Sequence, residues 1–260
     1  MIDCRCLFAF AQLQIMNLFT GLNPMIIRIF RSSVLVLLLF VSSSVAGTGG
    51  ITGKATLSGT RPAEAPIKFD ADPKCKTMHS AGVTTRHYVV DGSGNLANVF
   101  VYVKEGLGGK KFPAPSSAVI LDQQACLYQP YVLGVQTGQT LTIQNSDDTS
   151  HNVHALGKNN PEFNVGQPVK GVKMDKQFSK PEVFVKLKCD IHPWMYAYVG
   201  VVEHPFFAVT GTDGSFKIAG IPDGDYTIAA MHPKTGEKTA KVKIAGGEVK
   251  TDFIFEPKAQ

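Results

Sequence analysis

The sequence carries little charge, a single tryptophan and no extended block of either sign. Charged residues make up 18% of its 260 positions, 26 basic against 21 acidic, for a formal net charge of +5. Nucleic-acid-binding surfaces gather Lys and Arg on one face, so no nucleic-acid partner is expected. A G-x-S-x-G nucleophile elbow, a phosphate-cradling glycine loop and an H-E-x-x-H pair are all missing. Their absence removes the commonest signatures of serine hydrolases, nucleotide-binding proteins and zinc proteases, and no residue is expected to be catalytic. Helical periodicities are few, while 25 Gly and 15 Pro punctuate short apolar runs. That pattern predicts an all-β protein. At 44% hydrophobic, the chain can bury the core of one large or two modest domains.

The apolar run Val34–Val41 is too short to span a bilayer comfortably. With Arg28 and Arg31 before it and Ser44-Val45-Ala46 after it, it reads as a secretion signal over residues 25–46. No Cys stands at the cleavage site, so no lipid anchor is expected there. Residues 1–24 precede a signal that is complete from Met25. The expectation is a periplasmic or secreted protein with no membrane span after cleavage; an amino-terminal anchor is the competing reading.

Export leaves few cysteines. Cys4 and Cys6 go with residues 1–46, and Cys75, Cys126 and Cys189 remain. An odd thiol in an exported protein needs a reason. A Cys75–Cys126 disulfide with Cys189 as a metal thiolate is the simplest partition. A Cys75–Cys189 bridge or three free thiols also satisfy the count.

The stretch Lys188-Cys189-Asp190-Ile191-His192-Pro193-Trp194-Met195 packs a thiol, an imidazole and a thioether into the seven residues Cys189 to Met195. Those are the ligand types of a copper electron-transfer site, which needs one more imidazole. Upstream, the stretch Asn145–His154 offers His151 and His154. On an extended strand, residues three apart point to opposite faces, so only one of them can face the metal. Zinc competes, because Cys/His/His also suits a tetrahedral centre; the nearby Met and the single thiolate favour copper. A core side chain is the alternative reading of Met195. Trp194 reads as a packing residue or as an apolar rim for a partner. His79, His87, His204 and His232 lack partners at ligand spacing, and Asp147, Asp148 and Asp190 suit turns.

The sequence His151-Asn152-Val153 resembles the His-Asn-Ile/Val strand of the cupredoxins, the family of plastocyanin and pseudoazurin, and Cys189-x-x-His192 resembles their ligand loop. The departure is Met195, separated from His192 by two residues, Pro193 and Trp194, where plastocyanin-like loops have four. Two is the interval in the binuclear copper domain of cytochrome oxidase subunit II, but the second bridging Cys of that site is missing nearby. The resemblance therefore implies one mononuclear copper ion held by His151, Cys189, His192 and axial Met195. It favours His151 over His154, and gives Asn152 the task of tying the two ligand segments together. It further implies a Greek-key sandwich over residues 113–205 that passes single electrons to a redox partner protein.

Around that segment, alternation predicts strands at 51–58, 87–90 and 98–103, then at 118–121, 131–135, 140–144, 151–156, 182–188 and 197–202. Gly138 suggests a hairpin between the fifth and sixth of these. Residues 60–86 and 157–175 read as irregular. In the tail, Thr212-Asp213-Gly214-Ser215-Phe216 and Ile221-Pro222-Asp223-Gly224-Asp225-Tyr226 resemble the carboxypeptidase-regulatory, transthyretin-like β-sandwich. Such modules begin with strands like Ile51–Lys54 and Asn98–Val101, which lie far upstream. The expected organisation is nested, residues 47–112 and 206–260 forming a host into which 113–205 is inserted; a tandem order is the alternative. Two other functions stay open. One is an extracytoplasmic carbohydrate- or protein-binding module with a structural metal, touching polysaccharide or the cell surface. The other is copper storage or delivery.

Overall fold

The computed structural model describes residues 47–258 apart from Ala71, so the secretion-signal reading of residues 25–46 lies outside the described residues. Among them, no helix is long and apolar enough to cross a membrane. The fold is all-β. Among the described residues seventeen strands run from β1 (Thr48–Leu57) to β17 (Phe253–Phe255), and α1 (Pro73–Met78) is a short helix between β1 and β2 (Phe100–Glu105).

Four sheets form, and their pairing follows chain position. One has the order β13-β1-β16, with β17 also on β1; it joins β1 to β13 (Ser215–Pro222) and β16 (Gly247–Lys250). A second has the order β12-β2-β14-β15, from β12 (Phe207–Val209), β14 (Gly224–His232) and β15 (Gly236–Ile244). The nine strands between β2 and β12 pair only with one another. A third sheet has the order β5-β11-β10-β7-β8, with β5 (Val132–Gln136), β11 (Tyr196–Val202), β10 (Glu182–Lys188), β7 (His151–Leu156) and β8 (Phe163–Gln167). A fourth has the order β4-β3-β6-β9, with β4 (Leu127–Gln129), β3 (Val119–Gln124), β6 (Leu141–Asn145) and β9 (Lys173–Lys176).

Alternation explains how these sheets stack, because successive side chains leave opposite faces of a strand. In β2, Val101 and Val103 join a core with Ile51, Ile218 and Ile228, while Phe100 and Tyr102 point to a second core with Val132 and Val202. In β11, Ala197, Val199 and Val201 enter a third core with Leu121, Ile143 and Leu187, while Tyr196 and Tyr198 pack against the second. The second and third sheets are thus covered on both faces at β2 and β11, whose sequences read as near-continuous apolar runs. Phe100 sits in a notch between the paired glycines Gly134 and Gly200: a Cβ on either would come within 2.6 Å of its ring.

Three local expectations are corrected. His87–Val90 is not a strand beyond one bridge from Val90 to Leu96, because the Glu64 carboxylate takes the N–H groups of His87 and Tyr88 at 3.0 and 2.6 Å in place of a ladder. Gly138 does not close a hairpin, since β5 and β6 lie in different sheets. Its turn is tied instead to both layers, Thr137 donating to the Val202 carbonyl and Gly138 to that of Phe178. Finally, the stretches read as irregular hold α1, β8 and β9. Asp72 caps α1 and Pro73 occupies its first turn, a pairing that suits a helix start because the Pro lacks an N–H that would go unbonded anyway.

Candidate metal centre

Three strand ends meet at one end of the third and fourth sheets. His151 opens β7, and the loop Cys189–Met195 joins β10 to β11. That loop is closed on itself, Cys189 N–H donating to the Met195 carbonyl at 3.0 Å and Met195 N–H to that of His192 at 2.9 Å. His151, Cys189 and His192, all buried, each bring a ligand atom within 4.8 Å of the others. The two Nδ1 atoms are 2.9 Å apart, and Cys189 Sγ lies 3.9 Å from His192 Nδ1. Ligand atoms on one ion, with bonds of about 2.0 Å to nitrogen and about 2.3 Å to sulfur, stand no more than about 4.3 Å apart. Both measured separations fit.

The outer imidazole nitrogens are engaged by carboxylates. Asp147 Oδ2 lies 3.0 Å from His151 Nε2, and Asp72 Oδ2 lies 3.1 Å from His192 Nε2. A carboxylate only accepts, so each Nε2 carries the proton and each Nδ1 presents a lone pair. Two lone pairs and a sulfur therefore converge in a buried space with no donor side chain between them. Such a donor set is completed by a cation.

Burial opposes ionisation of Cys189, but hydrogen bonds from His151 and then His192, made when an imidazole takes up a second proton at Nδ1 in place of the cation, outweigh it and draw the thiol down to about 6. The backbone N–H of His192 also donates to the sulfur, at 3.4 Å. A thiolate at neutral pH is the form that binds metal. Burial likewise disfavours protonated His151, yet Asp147 and then Cys189 raise its pKa. Asn152 joins the two ligand segments: its Oδ1 accepts from Asp190 N–H at 2.8 Å and from the Cys189 thiol at 3.2 Å. Met195 is fully buried in the core that contains Cys189. His154 leaves the opposite face of β7, against Asp190 at 3.0 Å and Glu162.

Cys75 and Cys126 are disulfide-bonded, with Cα atoms 5.6 Å apart. The bridge fastens α1 to the turn between β3 and β4, where Ala125 and Cys126 both take positive φ, 51° and 52°. Neither is Gly or Asn, the usual occupants of such a turn; the Asp147 carboxylate holds it by accepting both N–H groups, at 2.6 and 2.7 Å. Cys75 Sγ lies 3.9 Å from His192 Nε2, so α1 and the bridge close the outer edge of that imidazole, which is 1% exposed. Trp194 is half-buried, its ring 5.1 Å from that of His192 and 5.0 Å from that of Phe69, with Nε1–H on the Cys126 carbonyl.

Sequence reasoning missed Asp72, Gln167 and the wider use of Asp147. Asp72-Pro73 is a legible helix start, although nothing local links it to His192. Asp147 is a turn residue, as expected, but also a partner of His151. Gln167 stands opposite His151 in the β7–β8 register, fully buried, and its side-chain amide has no partner.

No protein-family model and no curated protein matches the chain. Solved structures do match in part. A copper-containing nitrite reductase from Thermus scotoductus SA-01 is 22% identical over 38% of this chain and 25% of its own, with TM-score 0.31; the chain thus spans a quarter of that protein's length. A purple cupredoxin from Nitrosopumilus maritimus is 26% identical over 33% of this chain and 99% of its own, with TM-score 0.28. A methionine-to-glutamine variant of amicyanin in its Cu(I) form is 24% identical over 35% of this chain and 99% of its own, with TM-score 0.30. The transthyretin-like resemblance of the tail gains no support from these matches.

Proposed function

We propose that this chain is an exported mononuclear copper protein for one-electron transfer, with His151 Nδ1, His192 Nδ1 and Cys189 Sγ as the main ligands and Met195 as the axial one. The observation that carries this reading is the convergence of two imidazole lone pairs and a free cysteine sulfur in a buried space with no donor side chain among them. Copper would supply the one-electron couple. The protein's part is to keep the ligands still. The closed loop Cys189–Met195 and the Asn152 bridge leave the three donor atoms little freedom to rearrange, and the surrounding core keeps water away. In this reading residues 113–205 carry the centre, and residues 47–112 with 206–260 form the host. The partner is a redox protein. It would approach beside Ile191, which is 50% exposed next to a depression lined by His151, Asn152 and Pro168, since the outer edge of His192 is closed.

A visible spectrum of the copper-loaded mature protein tests the proposal. An intense thiolate-to-copper band is expected; a colourless protein that takes zinc in preference would overturn it. Met195→Leu tests the axial ligand. A thioether bonds copper weakly, so the substitution should keep the colour. It should raise the reduction potential, because an apolar axial side disfavours the more highly charged Cu(II). If spectrum and potential both stay fixed, Met195 is a core residue and the unpartnered amide of Gln167 is the next donor to remove.

A further inference from the structure

Asp72 and Asp147 stand behind the two ligand imidazoles in matching positions, and each is pinned by the backbone at a half-cystine. Asp147 accepts the N–H groups of Ala125 and Cys126 and faces His151 Nε2. Asp72 accepts those of Lys74 and Cys75, at 2.8 and 3.2 Å, and the Thr149 hydroxyl at 2.9 Å, and faces His192 Nε2. The Cys75–Cys126 disulfide fastens the two anchors to each other. Neither carboxylate can turn away from its imidazole without giving up its backbone donors. Both chain segments lie far from the ligand loop in sequence, so nothing local to that loop would require carboxylates here.

A carboxylate that accepts the outer N–H of an imidazole orients the ring and makes the inner nitrogen a stronger donor. A stronger donor with a fixed negative charge behind it favours the higher charge state of the bound ion. We propose that Asp72 and Asp147 are positioning residues that hold the reduction potential of the centre low, by stabilising its oxidised form through His192 and His151. This inference rests on the reading of His151, Cys189 and His192 as copper ligands.

The test is a redox titration of the copper-loaded mature protein, followed by its visible band, with ferricyanide and ferrocyanide exchanging one electron per copper. Asp72→Asn removes the charge and keeps one oxygen for both backbone N–H groups, which share Oδ1; Asp147→Asn removes the charge and keeps an acceptor for only one, since Ala125 and Cys126 donate to different oxygens. Each should retain the band and raise the potential by an amount equal to about a tenfold change in Cu(I)-over-Cu(II) preference, about 59 mV for a one-electron couple. The double variant should show about twice that shift. Chelator competition should locate the change in Cu(II) affinity, which falls about tenfold while Cu(I) affinity holds. Should Asp147→Asn fail to fold, because the turn at Ala125 and Cys126 loses its anchor, Asp72→Asn at the helix cap still decides. A retained band with unmoved potentials overturns the inference and leaves the ligand assignment standing. A wild-type protein without the band overturns both.

Discussion

Cys189→Ser should abolish the thiolate-to-copper band entirely while leaving circular dichroism and the thermal transition close to those of the unsubstituted apo protein. The two halves of that result have separate causes. Serine cannot supply a thiolate near neutral pH, and no other free cysteine stands among the described residues to replace it. The band should therefore vanish rather than shift. The fold, by contrast, draws its stability from the apolar interlayers. The strand that leads into the ligand loop buries Val185 and Leu187 against Ala155, Val199 and Leu121 without help from a metal. The change removes one buried sulfur and adds a hydroxyl with acceptors in reach, including Asn152 Oδ1, 3.2 Å from the present sulfur. A cost on the order of 1 kcal/mol is expected for that exchange. Retention of the coloured band would show that Cys189 is not the thiolate donor. Unfolding of both the apo protein and the variant would show that the metal is a structural staple.

Short-range features of the site were legible, because their chemistry is local. Cys189, His192 and Met195 share one loop, and His151-Asn152-Val153 opens a strand whose alternation fixes which face each side chain takes. The clean alternation of residues 182–188 gave β10 with its observed ends. What escaped sequence reasoning depends on contacts between distant segments. Asp72 meets His192 across 120 positions. Gly138 resembles a hairpin glycine, but whether the chain turns back within a sheet or crosses to the facing one depends on Val202 and Phe178, which take the turn's hydrogen bonds. His87–Val90 has the composition of a strand, yet a single carboxylate, Glu64, competes successfully for its N–H groups. The strands β8 and β9 are short and pair at sheet edges, where half of the residues face water and the apolar signal fades. Phe100 and Tyr102 were readable as strand residues, but not as the second apolar face of a sheet covered on both sides.

Phe100→Ala should be among the most destabilising single changes in the chain. The ring is fully buried between the second and third sheets, with ring centroids of Tyr102, Phe207 and Phe184 at 5.3, 5.6 and 6.1 Å. Truncating a buried Phe costs about 3–5 kcal/mol, from lost transfer energy and the cavity left behind. For a chain of this size that corresponds to a fall in melting temperature of roughly 10 °C. The notch that holds the ring makes a sharper test. Gly200 has room for no side chain, since a Cβ there would stand 2.5 Å from Phe100 Cε1. Gly200→Ala should therefore destabilise by about 1–3 kcal/mol through overpacking. Its cost arises from the Phe100 ring and should largely disappear in the Phe100→Ala background, giving a coupling of about 1 kcal/mol or more in a double-mutant cycle. Equal costs in the two backgrounds would place the clash elsewhere. Because this interlayer lies on the far side of the third sheet from His151 and Cys189, each variant that folds should keep the visible band of the copper-loaded protein unchanged.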